Sequence, residues 1–367
     1  MLQHSDSHEF AESAATTDAQ ESHQPLVRAN KRPSHMRLRA WRDGLLDQRA
    51  VGVSVCIANW NCRDLLRTCL QSLLDQPQGV RLEVIVVDND SADGAAQMVE
   101  EEFPEVLLLR NSHNAGFATA NNQAARRAQG RYLFFLNNDT VVPAGALARL
   151  VDFAEAHPEA GIIGPSLRDG NGHVQVSYRQ HPGLGTLLHR TSLLRVTGLL
   201  HGVYQRYRRE DFDPLTTRRV DVLMGAAMLI PRTVFEECGG WDGAFAFGGE
   251  DLDLSARVGS RHGIFYHPAV EITHFGRASS RQHIGYVSAN MAVGFVRYLR
   301  KCGYSEATLW LYKAVVTVDA PVQLLGKALQ YCWRRFCGRH KKAQKSLLAL
   351  HGTQHFLARG LTPFWRA

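Results

Sequence analysis

No GxGxxG follows the first apolar run of this chain and no GxxxxGK[ST] occurs in it. That excludes a Rossmann dinucleotide turn and a P-loop as its phosphate-binding device. The seven cysteines occur singly, with no CxxC pair, so neither a disulfide framework nor a zinc knuckle is expected, and the chain reads as one for a reducing cytoplasm. Residues 1–24 are rich in Ser, His, Asp and Glu and lack an apolar h-region, so no export signal is expected. No internal repeat is present. Acidic residues are missing beyond Asp319, where nine of the 42 basic residues lie. The positive net charge is therefore a property of the C-terminal tail.

A long uninterrupted apolar run is also missing. The stretch from Ala307 to Trp333 comes nearest, but Lys313, Asp319 and Lys327 interrupt it and Pro321 is expected to break it, whereas a spanning helix needs about 20 mostly apolar residues. Cations interleaved with Leu, Tyr, Trp and Phe over 307–350 match a helix lying on an anionic membrane surface. The segment is therefore expected to be interfacial and not spanning; the alternative is a helical pair packed on the domain with its basic face in water. No nucleic-acid reading motif accompanies the charge, so nucleic acid is not an expected partner.

What is present is a globular composition, 45% hydrophobic over 367 residues, enough for one large domain with an appendage or for two domains. Residues 1–50 are polar, then basic, and are expected to be disordered. From there strands and helices alternate. Val51–Ala58 reads as a buried strand, Arg63–Gln76 as a helix, Leu82–Val87 as a strand and Ala92–Phe103 as a helix. Val106–Leu109, a helix over Phe117–Gln129 and a strand over Tyr132–Leu136 follow. This alternation predicts a doubly wound, mostly parallel α/β sheet flanked by helices. Between about 166 and 220 the periodicity fades and irregular loop is expected. A strand at Val222–Ile230, a helix from Arg232, a helix over Asp251–His262 and strands over Ile264–His274 come next. The units expected are a domain over 51–280 and a C-terminal amphipathic, basic helical extension over 281–367.

Polar residues punctuate the ends of the apolar strands, where open α/β sheets bind ligands. Asp88 and Asp93 follow the second strand; their carboxylates suit a ribose or base, or simply an Asx turn. Asn111–Asn122 forms an amide-rich loop that opens a helix, suited to sugar or base edges or to plain capping. Asn137-Asn138-Asp139 ends an otherwise apolar strand, and a single carboxylate there can anchor a divalent metal with a diphosphate. His274, on a late strand, offers an imidazole. Gly248-Gly249-Glu250-Asp251 places two acids after a glycine hinge; they suit either a helix N-terminus or a base that deprotonates a hydroxyl.

Taken in order, Ser54–Asn61, Val86–Asp93, Asn114-Ala115-Gly116-Phe117 with Asn121, Leu136–Thr140, Gly225–Met228, Gly239–Asp242, Gly249–Leu254 and His274 resemble the family 2 glycosyltransferases of the GT-A fold. Among these they resemble the rhamnosyltransferase-like members. The resemblance covers about residues 51–280. It implies transfer of a rhamnose or other hexose, with inversion, from a nucleoside-diphosphate sugar to a hydroxyl of a lipid-linked glycan in cell-surface polysaccharide synthesis. The enzyme would sit in the cytoplasm, peripheral on the inner face of the membrane.

The same resemblance assigns Asn59, Asp88, Asn89, Asp93, Asn114, Gly116, Phe117, Asn121 and Asn137 to the nucleotide sugar. It gives Gly225, Ala226, Trp241 and Asp242 to the acceptor region, and Asp139 and His274 to Mg2+ or Mn2+. Asp251 is then the base, with Glu250 as the alternative. The chain departs from the family at the DXD position, where Asn137 stands for the first carboxylate. A non-catalytic nucleotide-sugar or glycan-binding module is the rival function. A nucleotidyltransferase would need a basic, glycine-rich loop where Asn59-Trp60-Asn61-Cys62 stands.

Overall fold

The computed structural model describes residues 52–208, 213–276 and 283–367; the segment expected to be disordered, 1–50, lies outside these. The first half alternates as β1 (Val53–Asn59), α1 (Arg63–Leu74), β2 (Leu82–Asp88), α2 (Ala95–Glu102), β3 (Leu107–Arg110), α3 (Phe117–Arg127) and β4 (Tyr132–Leu136). Then come β5 (Thr140–Val141), α4 (Ala146–Ala156), β6 (Ala160–Arg168), β7 (Val174–Gln175) and β8 (Tyr178–Arg179). Three short helices, α5 (Leu184–His189), α6 (Ser192–Thr197) and α7 (His201–Arg208), precede β9 (Arg218–Arg219), β10 (Val222–Leu223), β11 (Ala227–Pro231) and α8 (Arg232–Glu237). Next come α9 (Glu250–Gly259) and β12 (Gly263–His274). A helical region follows: α10 (Ile284–Lys301), α11 (Glu306–Phe336), α12 (His340–His355), a π turn at Phe356–Gly360 and α13 (Leu361–Arg366).

The main sheet runs β3-β2-β1-β4-β11-β6-β12-β5, with β7 on β6 and β9 on β12. β3, β2, β1 and β4 are parallel neighbours, as are β6 and β12. β11 enters antiparallel between β4 and β6. The fold is the mostly parallel, helix-flanked sheet that the alternation predicts. Its strands are buried on both faces because apolar residues alternate between two layers. Tyr132, Phe134 and Leu136 join one layer, while Leu133 and Phe135 join the other. On α1, Leu66, Cys69, Leu70 and Leu73 recur at i, i+3, i+4 and i+7 and close the first layer.

Two expectations fail. The segment 166–220 is not featureless: it holds the end of β6, three helices and three two-residue strands, elements too short for a periodic pattern to develop. Pro321 also does not break its helix, since α11 continues through it. The proline costs one backbone hydrogen bond, and α11 is supported by a separate apolar cluster that includes Leu187, Val296, Leu299, Leu309, Tyr312 and Phe364. Within this cluster the buried Lys313 donates to the Trp365 carbonyl at 3.0 Å.

The tail and the main domain interlock at α6. Asp319 of α11 is buried and accepts from the backbone N–H groups of Ser192 and Leu193, each at 2.9 Å, so it satisfies the first turn of α6. Replacing Asp319 by Ala is expected to cost about 1 kcal/mol or more of unfolding free energy, the usual loss of a capping acceptor. Urea denaturation reads this directly, and an unshifted midpoint would show that the interlock carries no stability.

Candidate functional site

Parallel register places Asn59 opposite Asp88 at the carboxyl ends of β1 and β2. The Asn59 amide donates to Asp88 Oδ1 at 3.0 Å and to Ser91 Oγ at 3.2 Å, and its oxygen accepts from Asn138 Nδ2 at 2.7 Å. A polar ridge therefore crosses three adjacent strands, β2, β1 and β4. All of Asn59, Asp88 and Asn138 are buried, so the ridge is rigid before any ligand arrives. Asn138, which the sequence patterns did not single out from its motif, is what ties β4 to the ridge.

Asn89 holds the next loop. Its oxygen accepts from Asn111 Nδ2 at 2.8 Å, and Asn111 exchanges two amide hydrogen bonds with Gln123. Asn114 accepts from the Gly116 N–H at 2.9 Å. Gly116 has φ +83°, and a Cβ there would lie 2.8 Å from the Ala246 carbonyl. The amide-rich loop thus touches the loop leading to the acidic pair. Asn121 is fully buried and donates to the Phe117 carbonyl at 3.0 Å.

At the other side of β4 three groups converge. His274 Nε2 lies 3.3 Å from Asp139 Oδ1 and 3.3 Å from Asn137 Nδ2. Gln175 on β7 clamps the imidazole: its Nε2 donates to the His274 carbonyl at 2.7 Å, while its Oε1 faces His274 Nδ1 at 2.9 Å. A carbonyl can only accept, so the Gln175 amide orientation is fixed, and Oε1 must accept the Nδ1 proton. Nε2 then carries a lone pair facing a carboxylate oxygen. That lone pair faces both the Asn137 amide and the Asp139 carboxylate, so a carboxylate oxygen and an imidazole nitrogen converge on one side of the site. An oxygen and an imidazole nitrogen are donors that Mg2+ and Mn2+ accept, and the group that fixes the tautomer is the outer-shell partner such a ligand ordinarily has. Among the described residues no third His, Cys, Asp or Glu joins them, which leaves positions for substrate oxygens and water.

The acidic pair opens α9 behind two glycines in the left-handed region, Gly248 with φ +80° and Gly249 with φ +98°. The loop is pressed from behind by α10: a Cβ on Gly294 would lie 1.9 Å from the Gly248 carbonyl, so only glycine fits there. Asp251 accepts from Arg179 Nη2 and from the Leu252 N–H, at 2.7 and 2.9 Å. Glu250 differs: burial, reinforced by the negative charge of Asp251, pushes its carboxyl up to about 8, and its Oε2 has no hydrogen-bond partner. Tyr286, whose hydroxyl is raised by burial and by Glu250, stands edge-on to Trp60 at 5.8 Å, and Trp60 stacks on His283 at 3.8 Å. Trp60 directly follows Asn59, so these rings link the strand-end ridge to the acid loop.

Several assigned residues serve the frame. Both carboxylate oxygens of Asp93 accept backbone N–H groups, from Arg63 and Ala95, and so anchor the starts of α1 and α2. Trp241 and Ala226 are buried; Trp241 sits in the core between Phe117 and Phe135, and its backbone exchanges two hydrogen bonds with Asn122, its carbonyl accepting from Nδ2 and its N–H donating to Oδ1. Its side chain is therefore packing and not a surface for an acceptor. Gly225 backs onto Phe117 and Trp241. Asp242 pairs with Lys301 at 2.8 Å, which against the opposing effect of burial holds its carboxyl below the usual range. Gln175, Arg179, His283 and Tyr286 carry no signal in the sequence, and Trp60 was visible only as part of its motif.

The Glu250 shift has a consequence for stability. A carboxyl whose folded-state value is raised stabilises the fold fully below its unfolded value, and that contribution is lost as pH rises toward about 8. Unfolding free energy is therefore expected to fall between roughly pH 5 and pH 8, and Glu250→Gln should flatten the decline. Denaturant titrations across that window test this; equal slopes in both proteins would contradict it.

Residues 54–238 match the family model described as Glycosyl transferase family 2. An N-acetylglucosaminyl-diphospho-decaprenol L-rhamnosyltransferase of Mycobacterium tuberculosis is 30% identical over 215 residues, covering 53% of this chain and 66% of that protein. A UDP-Glc:alpha-D-GlcNAc-diphosphoundecaprenol beta-1,3-glucosyltransferase of Escherichia coli is 29% identical over 104 residues, covering 28% of this chain and 41% of that protein. The chain thus spans less than two thirds of either relative. Among solved structures, GalNAc-T7 with UDP, GalNAc and Mn2+ superposes with a TM-score of 0.50 at 17% identity, over 68% of this chain and 48% of that one. That likeness is one of fold alone. With half of its length matched by the family model and its sheet ordered as described, the chain belongs to glycosyl transferase family 2 and has the GT-A fold.

Proposed function

We propose that this protein transfers a hexosyl group, rhamnose or another hexose, from a nucleoside-diphosphate sugar to a hydroxyl of a prenyl-diphosphate-linked glycan, with inversion. The observation that carries the proposal is the Asp139–His274 pair, two facing acceptors 3.3 Å apart beside the Asn59–Asp88–Asn138 ridge. The acceptor class is supported by the two relatives above, whose names both specify N-acetylglucosamine on a polyprenyl diphosphate.

Asp88 and the ridge would accept hydrogen bonds from the donor's base or ribose, and the Asn111–Gly116 loop would close over its sugar side. Asp139 and His274 would hold Mg2+ or Mn2+, which when bound neutralises charge on the departing nucleoside diphosphate. Of the two acids, the family resemblance makes Asp251 the one that receives a proton, while burial raises the Glu250 carboxyl beside it. The acceptor hydroxyl gives its proton to Asp251 as its oxygen bonds to the anomeric carbon. The bond from that carbon to the diphosphate breaks on the opposite side, and its electron pair leaves with the diphosphate. Arg179 and the Leu252 N–H aim the Asp251 carboxylate, and Gln175 keeps the His274 lone pair directed at Asp139.

Two measurements test this. In the first, the protein is given a panel of nucleotide sugars and a short-chain prenyl-diphosphate N-acetylglucosamine, and nucleoside diphosphate release is followed. One donor should be consumed, Asp251→Asn should lose about 100-fold or more in rate, and Glu250→Gln should keep most of it. Binding without turnover would favour the non-catalytic module, and absence of any nucleotide binding would remove the nucleotide-sugar assignment. In the second, calorimetric titration of Mn2+ with nucleoside diphosphate present should show about 10-fold weaker binding in Gln175→Leu and none attributable to the site in Asp139→Ala. Metal affinity equal in all three proteins would contradict the pairing of Asp139 with His274.

A further inference from the structure

α11 has one face that the described residues leave uncovered. Leu311, Val318, Val322, Leu325, Leu329 and Phe336 are all exposed, and at 100° per residue they fall within about 60° of arc. The other sides of the helix are occupied. Asp319 ties α6 to its middle, Lys313 and Thr317 hold Trp365, and Arg334 bonds Ser346 of α12. The stripe is thus a surface of a well-anchored helix, and its length of 25 residues corresponds to about 38 Å. A continuous apolar strip of that size on a soluble surface marks an interaction site.

Charge identifies the partner. The stripe ends at the α11–α12 turn, where Trp333 and Phe336 are exposed, the latter at 87%. Arg335, Arg339, Lys341 and Lys342 are exposed at the same turn. No acidic residue follows Asp319, and Asp319 itself is buried, so nothing in the tail neutralises these cations. Two copies meeting stripe to stripe would bring no anion to them. A layer of anionic headgroups over an acyl phase supplies both needs, and exposed aromatic rings beside cations suit that boundary. No described helix is long and apolar enough to cross a bilayer.

We propose that the outward face of α11, led by the α11–α12 turn, seats the protein on the surface of an anionic lipid bilayer. This stands on the helix face alone and does not depend on the transfer reaction.

The test is co-sedimentation of the full chain with vesicles of phosphatidylcholine alone or mixed equally with phosphatidylglycerol, together with sedimentation velocity without lipid. The protein should bind the mixed vesicles, bind far less to phosphatidylcholine alone, and release in high salt. Leu325→Glu with Leu329→Glu should weaken binding at least tenfold while leaving the thermal melt unchanged, because both side chains point away from the fold. Arg335→Gln and Lys342→Gln should each weaken it roughly fivefold. Failure of the wild type to bind mixed vesicles, or binding that ignores the leucine substitutions, would overturn the proposal. A dimer in the absence of lipid that the leucine substitutions dissociate would replace it with self-association.

Discussion

Burial of β1, β2 and β4 on both faces is the constraint from which the site follows. A strand between two apolar layers has no room for an unpartnered polar side chain, so polar residues appear only where the strands end. Because β2, β1 and β4 are parallel and in register, their ends fall on one edge, and Asn59, Asp88 and Asn138 satisfy one another there. The ridge is therefore the place where the core's intolerance of polarity stops.

That constraint also explains what could be read from the sequence. Each βα unit of the first half shows its period in the residues, and its strand end is marked by the switch from apolar to Asx residues. Asp88, Asn137 and Asp139 stand out for that reason, and the Glu250-Asp251 pair stands out by the two glycines before it. Gln175 does not: it lies on a two-residue edge strand in a Gly-, His- and Arg-rich stretch, and only the fold sets it against His274. Arg179, which meets Asp251 across 72 positions of chain, is equally silent. β11 reads as one more strand, and nothing local reveals that it runs antiparallel between β4 and β6. Trp241, a conspicuous residue in a glycine-rich loop, is drawn into the core by Asn122, a partner 119 positions away.

The C-terminal helices were expected either to lie on a membrane or to pack on the domain. In the structure α11 has two unlike sides. One side holds Asp319 and Lys313 in buried, hydrogen-bonded positions, while the other carries the leucine stripe. A continuous helix through Pro321 makes this possible, since a break there would have rotated the two halves out of phase and split the stripe.

The contact between Gly294 and Gly248 bears on how this protein divides into parts. The family resemblance draws a boundary near residue 280, where its matching motifs end. Packing draws none there: the backbone of α10 forms the wall against which the glycine hinge of the acidic pair rests, with no side chain between them. The tail is in this sense part of the support of the acid loop and not an attachment to the domain. A domain cut at that boundary would keep every residue of the strand-end ridge, yet the loop of its two acids would lose the α10 backbone that rests against it.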